Sequence, residues 1–376
     1  MVTAERQISG SRFLVEPATR DDDAELRELF RKVSMGSGIE VCFEREPSYF
    51  DALTIQGERS EVGVIRDVVE GGIVGCGTRV MRQGFINGQL VNLGYLGDLR
   101  IKPSHRNRTL TARIFRSFQK RESWCDWYYT VIFDENIKAL NSIAAGRAGL
   151  PIYRDQGRIL CPGIELRQEL PRLSVKGVSL RSGAHDDLQQ IVDCLNRNLA
   201  RKQFAPFHKV DDFHHGQRWR GLKVEDFIIA EKEGKIVGVM AAWDQSSFKQ
   251  TRIVGYHGVW QWLAPLSRIV SPFRRAPGLP PKGKYLSYLY VCCTAVDGDD
   301  IDIFRVLLRE IYNANVRKEW LYFMLGLHER DPFAAVLGEY ARIPFAGRLF
   351  AVSLTGPSGQ SPVLDDRIPY IEVSTL

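Results

Sequence analysis

The sequence predicts a mixed α/β protein, a sheet flanked by helices and built twice in tandem. Three paired patterns, in the same order along the chain, carry that expectation. The first pair is 14-LVEPATRDDDAELRELF-30 and 179-SLRSGAHDDLQQIVDCLN-196. Each is a short apolar run, a turn with adjacent Asp residues and an amphipathic helix, with Asp22 and Asp187 as candidate N-caps. The second pair is 62-VGVIRDVVEGGIVGCGTRV-80 and 224-VEDFIIAEKEGKIVGVMAAW-243, two hairpins turning at Gly71–Gly72 and Glu233–Gly234. The third is 124-WCDWYYTVIF-133 and 317-RKEWLYFMLGL-327, apolar strands that follow a long helix. One repeated unit explains all three, and each copy reads strand, helix, hairpin, strand, helix, strand, helix. The copies span 1–172 and 173–376, divided in 167-RQELPRLSVKG-177, where charge, Pro171 and Gly177 interrupt the patterning.

The second copy carries an extra block over 255–284. Its apolar residues (Trp260, Trp262, Leu263, Leu266, Ile269, Val270) sit beside Arg268, Arg274 and Arg275. Such a patch suits a lid, a homodimer contact or a membrane-surface anchor. Pro265 and Pro272 argue against a long amphipathic helix, which favours the lid or the dimer contact.

Composition narrows the rest. The 376 residues are 44% hydrophobic and 26% charged, ordinary for a globular chain with a sizeable core. A formal charge of +6 permits an anionic ligand without demanding a specific nucleic acid. No stretch reaches the roughly 18 apolar residues of a membrane span, and MVTAERQISG does not read as a signal peptide. The seven cysteines form neither a disulfide framework nor a metal spacing, so a reducing, cytoplasmic compartment and no metal are expected.

The chemistry concentrates in 91-VNLGYLGDLRIKPSHRNRTLTARIF-115. Leu93, Tyr95, Gly97, Leu99 and Ile101 alternate with Asn92, Gly94, Leu96, Asp98 and Arg100, which predicts a regular strand ended by Pro103. A helix begins near Thr109, with Leu110, Ile114, Phe115 and Phe118 on one stripe. A helix N-terminus already favours anions. Arg106 and Arg108 placed there gain nothing from the dipole, so they point to a multiply charged ligand such as a pyrophosphate. The plain alternative is a solvated basic turn.

Strand, Pro, Arg-x-x-small-x-small, helix resembles the acetyl-CoA-binding element of the GCN5-related N-acetyltransferases (GNAT), and 136-NIKA-139 resembles the family's next signature. The resemblance covers the first copy in element order and the second more faintly, as in the tandem branch of the family. It implies a GNAT-like fold in duplicate and transfer of an acyl group from acyl-CoA, acetyl-CoA in the family's manner, to a small-molecule or protein amine. It also implies that Arg106, Asn107, Arg108, Thr109, Leu110 and Thr111 hold the pyrophosphate, with Asn136 on the cofactor side. Main-chain N–H groups near Leu99 and Ile101 would face the thioester, at a place where the central strand splays from its neighbour. Asp98 is the candidate base, with Glu40, Glu44 and Glu46 as rivals. The family's usual acid, a tyrosine, is replaced by Ile143; Tyr153 is the candidate in its stead, with Tyr95 and Tyr129 as alternatives. Two loop glycines of the family are Thr109 and Thr111 here, tolerable if the loop keeps ordinary helical dihedrals.

Aligned on Trp127 and Trp320, the second copy sets Asp299 against Arg106, Asp302 against Thr109 and Glu329 against Asn136. Its acidic turn, 296-VDGDDIDIF-304, would face solvent and repel a pyrophosphate. Two rival readings remain: a non-catalytic binding or structural protein made of two degenerate copies, and a transferase that uses aminoacyl-tRNA.

Overall fold

The computed structural model describes residues 11–36, 38–106, 109–143, 150–214, 217–274, 278–354 and 363–376. In the first copy, β1 (Phe13–Pro17) leads to α1 (Asp23–Lys32), β2 (Ile39–Glu44) and α2 (Tyr49–Leu53). The hairpin β3 (Arg59–Asp67) and β4 (Ile73–Ile86) is followed by β5 (Gln89–Ile101) and α3 (Leu110–Gln119). Then come β6 (Trp127–Phe133), α4 (Ile137–Ile143), β7 (Ile152–Leu160) and β8 (Gly163–Glu165). The second copy opens with β9 (Ser179–Ser182), α5 (Leu188–Leu199), β10 (Ala205–Pro206) and α6 (Val210–His214). It continues through β11 (Phe227–Lys232), β12 (Lys235–Trp243), β13 (Gln250–Tyr256) and α7 (Trp260–Arg274). The remaining elements are β14 (Tyr288–Val296), α8 (Ile301–Asn315), β15 (Tyr322–Met324), β16 (Leu327–His328), β17 (Arg342–Ile343) and β18 (Ala346–Ser353).

Local chemistry accounts for these elements. Glu233 and Gly234 both have positive φ, the turn that matches the twist of β11 and β12. The predicted stripe of α3 is buried throughout, and each such side chain contributes roughly 1.5–3 kcal/mol when fully removed from water. Asp22 and Asp187 stand at the starts of α1 and α5, but their carboxylates reach back. They accept the main-chain N–H of Thr19 at 2.9 Å and of Ala184 at 2.8 Å.

The first sheet has the order β1-β3-β4-β5-β6-β18-β7, with β16 beyond β7; the second has the order β17-β8-β15-β14-β12-β11-β9. Each copy therefore gives a strand to the other. β18, from the end of the chain, lies between β6 and β7 in the first sheet. β8, from before residue 172, lies between β15 and β17 in the second. Three further strand pairings among the described residues tie the copies together, β10 on β4, β13 on β2 and β16 on β7.

The inserted block departs from expectation. α7 runs from Trp260 to Arg274 across both prolines. It buries Ala264 and lays the Trp260 ring on Gly38, while Trp262, Leu266 and Ile269 remain exposed. No helix among the described residues is long and apolar enough to cross a membrane.

Candidate functional site

The first sheet opens into a fork. β5 and β6 run parallel for three pairs, Leu93 with Trp127, Gly94 with Tyr128 and Tyr95 with Tyr129, and then part. Thr130 Oγ1 donates to the Leu96 carbonyl at 2.7 Å across the mouth. β14 and β15 repeat the arrangement, with Tyr288 opposite Tyr322.

Beyond the fork β5 is not the regular strand that its alternation predicts. Cys76 pairs with Arg100 and Thr78 with Gly97, so Asp98 and Leu99 together face Gly77. Asp98 takes φ 51° in this bulge. The extra residue switches the phase of the strand. Leu93 and Tyr95 join the core under α1 and α2, whereas Leu99 and Ile101 pack against the core under α3. Asp98 and Arg100 turn to the α1 and α2 side with Tyr95, where Arg100 lies 4.2 Å from the Phe30 ring centroid. A period of two cannot reveal a bulge, so sequence alternation missed this.

The Asp98 side chain is only 8% exposed, and its carboxylate accepts the Tyr49 hydroxyl at 3.1 Å and lies 3.5 Å from Arg45 Nη2. Burial, reinforced by the Asp98 charge, raises the Tyr49 phenol well above its ordinary value, so Tyr49 acts as a donor. Neither Tyr49 nor Arg45 was singled out in the sequence, since both come from the segment around α2, far from β5. The rival carboxylates are occupied. Glu40 meets His257 at 2.9 Å, Glu44 meets Arg252 at 2.5 Å, and Glu46 meets Arg27 at 2.6 Å and Arg31 at 2.5 Å.

Tyr153 lies on the opposite, α3 face of the sheet. Its ring meets Phe350 edge-on at 5.9 Å, and burial raises its phenol above the ordinary range. Asp98 and Tyr153 thus stand on the two sides of the fork. The structure does not bring them together.

The basic loop follows. Asn107 and Arg108 lie outside the described residues. Arg106 is exposed, and its Nε donates to the Ile101 carbonyl at 3.3 Å. Thr109 does not keep helical dihedrals. It has φ 57° and ψ 11°, the left-handed conformation that suits glycine and strains a β-branched side chain. Thr109→Gly is expected to raise stability by about 1 kcal/mol, read as a higher midpoint of thermal unfolding. Leu110 is buried, Thr111 is half-buried, and Asn136 Oδ1 accepts the Ala139 N–H at 3.2 Å as a cap of α4.

His105 fixes the turn from beneath. It is buried, and its Nε2 lies 3.2 Å from Asp67 Oδ2. Asp67, Glu70 and His105 present ligand atoms within 4.8 Å of one another, a grouping the sequence did not foresee. The Arg12 guanidinium donates to both carboxylates, so a cation of the protein's own already serves them. Arg12 above all, opposed by burial, holds the Asp67 carboxyl below its usual range. Its stabilising contribution is present above about pH 4 and lost as pH falls toward the depressed folded value. Acid titration is expected to show a shallower loss of stability for Asp67→Asn than for the intact protein.

The second copy corrects the alignment on the tryptophans. Tyr288 opposite Tyr322 matches Leu93 opposite Trp127, so Trp127 corresponds to Tyr322, two residues beyond Trp320. A two-residue slip keeps every side chain on its face, so hydrophobic pattern cannot detect it. Cys293, with φ 50°, then corresponds to Asp98. Asp331, which caps its turn through the Phe333 N–H at 3.0 Å, takes the place of Asn136 in preference to Glu329. The acidic turn is shorter than the basic loop, and it is paired internally. Asp297 meets Arg197 at 2.8 Å, Asp299 meets Arg201 at 3.0 Å and Lys202 at 3.1 Å, and Asp300 accepts the Asp302 N–H at 2.9 Å.

No protein-family model matches this sequence, and no curated protein matches it closely. Solved structures do resemble it. A GCN5-related N-acetyltransferase from Sphaerobacter thermophilus aligns over 94% of this chain and 99% of its own, with TM-score 0.55 and 12% identity. N-myristoyltransferase of Saccharomyces cerevisiae, solved with myristoyl-CoA and inhibitors, aligns over 97% and 86%, with TM-score 0.60 and 14% identity. The glucosamine N-acetyltransferase region of a fungal multi-domain GH3 β-N-acetylglucosaminidase aligns over 92% of this chain and 38% of that one, with TM-score 0.61 and 13% identity. At these identities the likeness establishes the fold: GNAT-like, mixed α/β and duplicated in tandem.

Proposed function

We propose that this chain transfers an acyl group, with acetyl-CoA as the donor, to the nitrogen of a small-molecule or protein amine. The reading rests above all on the fork between β5 and β6, with a bulge that sets a buried carboxylate on one side and a basic helix start on the other. Arg106, Asn107, Arg108, Thr109, Leu110 and Thr111 would hold the pyrophosphate, and Asn136 would lie beside the cofactor. The thioester would enter the fork from the α3 side, where main-chain N–H groups of Leu99 and Ile101 meet its oxygen. The amine would approach from the α1 and α2 side. Its nitrogen forms the new C–N bond as the C–S bond breaks. Asp98 takes the ammonium proton, and Tyr153, held protonated by burial, gives one to the leaving thiolate.

Calorimetric titration with acetyl-CoA and with CoA tests this. The intact protein is expected to bind both, and Arg106→Ala combined with Arg108→Ala to weaken binding at least about tenfold, since a hydrogen bond to a charged group contributes about 1.5–3 kcal/mol. Absence of binding by the intact protein would return the chain to the rival reading, a binding protein of two GNAT-like copies. The engagement of Asp98 by Arg45 and Tyr49 is what favours that rival.

A further inference from the structure

On the side of the fork under α1 and α2, the two copies bury cationic and neutral side chains with nitrogens that have no hydrogen-bond partner. Arg82 of β4 is 1% exposed; it donates to the Thr375 hydroxyl at 3.0 Å and to the Tyr129 hydroxyl, both uncharged. Its Nε has no partner, and no carboxylate among the described residues pairs with it. His208 comes from the second copy. Pro206 pairs with Gly84 and the Phe207 N–H reaches the Gln83 carbonyl at 3.0 Å, so the ladder sets His208 across from Arg82. Both ring nitrogens of His208 are buried and unpartnered. Burial, with the nearby charges of Arg218 and Arg82, pushes its pKa well down, leaving a neutral imidazole able to donate one N–H. Arg218, 6% exposed, completes the group with Nε and Nη1 lacking hydrogen bonds.

Burying a guanidinium without satisfying its donors is strongly unfavourable. The surrounding acids do not relieve it. Glu58 and Asp212 stand 3.6 Å and 3.9 Å from Arg218 Nη1, and Glu58 is shared with Lys209 at 3.2 Å. Glu372, also buried nearby, is engaged by the Cys293 N–H and the hydroxyls of Tyr370 and Ser374. Glu58 and Asp212 thus ion-pair with Arg218 and Lys209, and none of these acids pairs with Arg82. Tyr129, its partner, belongs to the last β5–β6 pair before the fork opens.

We propose that Arg82, Arg218 and His208 form a recognition site for a carboxylate carried by the acceptor. A planar carboxylate matches the fork geometry of the unpaired guanidinium donors. The assignment of that carboxylate to the acceptor rests on the proposed acyl transfer; the anion site itself does not.

The test uses the full chain, with and without saturating CoA. Calorimetry compares the ω-amino acids from β-alanine to 8-aminooctanoate with their carboxamides, and a tripeptide with its amidated form. At least one carboxylate is expected to bind about tenfold or more tighter than its amide, because a site built for a polar group rejects the analogue lacking it. The arm that responds separates a free amino acid from a peptide terminus. Arg218→Met is expected to erase the preference without lowering the thermal midpoint of the unliganded protein, whereas a purely structural arginine would lower it. Equal binding of acids and amides, a preference that survives Arg218→Met, or no binding by any member would overturn the site. Loss of CoA binding alone would sink the transferase reading and leave these outcomes readable.

Discussion

Asp98→Asn is expected to lower the maximal rate of acyl transfer by about 10²–10⁴, the usual contribution of a positioned proton acceptor, with little change in acyl-CoA affinity. The split between rate and affinity follows from placement. Asp98 lies on the face of β5 under α1 and α2, away from the α3 side where the cofactor is proposed to enter. The amide keeps an acceptor for the Tyr49 hydroxyl but leaves the buried Arg45 without its carboxylate, so the thermal midpoint must be measured alongside. A folded variant with an unchanged rate would reduce Asp98 to a partner of Arg45.

Ala351→Pro is expected to destabilise the first sheet by about 3 kcal/mol or more, with loss of CoA binding, although the residue lies far along the second copy. Ala351 sits in the middle of β18, pairing Tyr129 on one side and Arg154 on the other. Proline would break the ladder on a strand with neighbours on both edges. For the same reason, fragments 1–172 and 173–376 are expected to fold poorly alone and to restore cooperative unfolding when mixed. Calorimetric scans of each fragment and of the mixture check this. Independent folding of either fragment would refute it.

Much of this architecture was legible in residues whose chemistry is local. The stripe from Leu110 to Phe118 and the turn at Glu233–Gly234 declare themselves, because period and turn type act within a few residues. The duplication was legible for the same reason. Strand exchange was not, since β8 and β18 look like any short apolar strand and nothing in their periodicity names the neighbour. The site divides in the same way. Asp98 stands out by charge among apolar neighbours and Arg106 by its place at a helix start, whereas Tyr49, Arg45 and His208 acquire meaning only once distant segments meet. The strain at Thr109 was invisible too, because a dihedral angle is set by the loop around it.

The bulge in β14 has a different fate from its counterpart in β5. There the Cys293 main-chain N–H is taken by Glu372 at 2.9 Å, from the same closing segment that sends Thr375 to Arg82 and the carbonyls of Ser374 and Leu376 to Lys249. The second copy has thus become a peg. By tethering that segment it fixes where a hydroxyl meets the buried Arg82 of its sibling, so one duplicate sets the interior of the other.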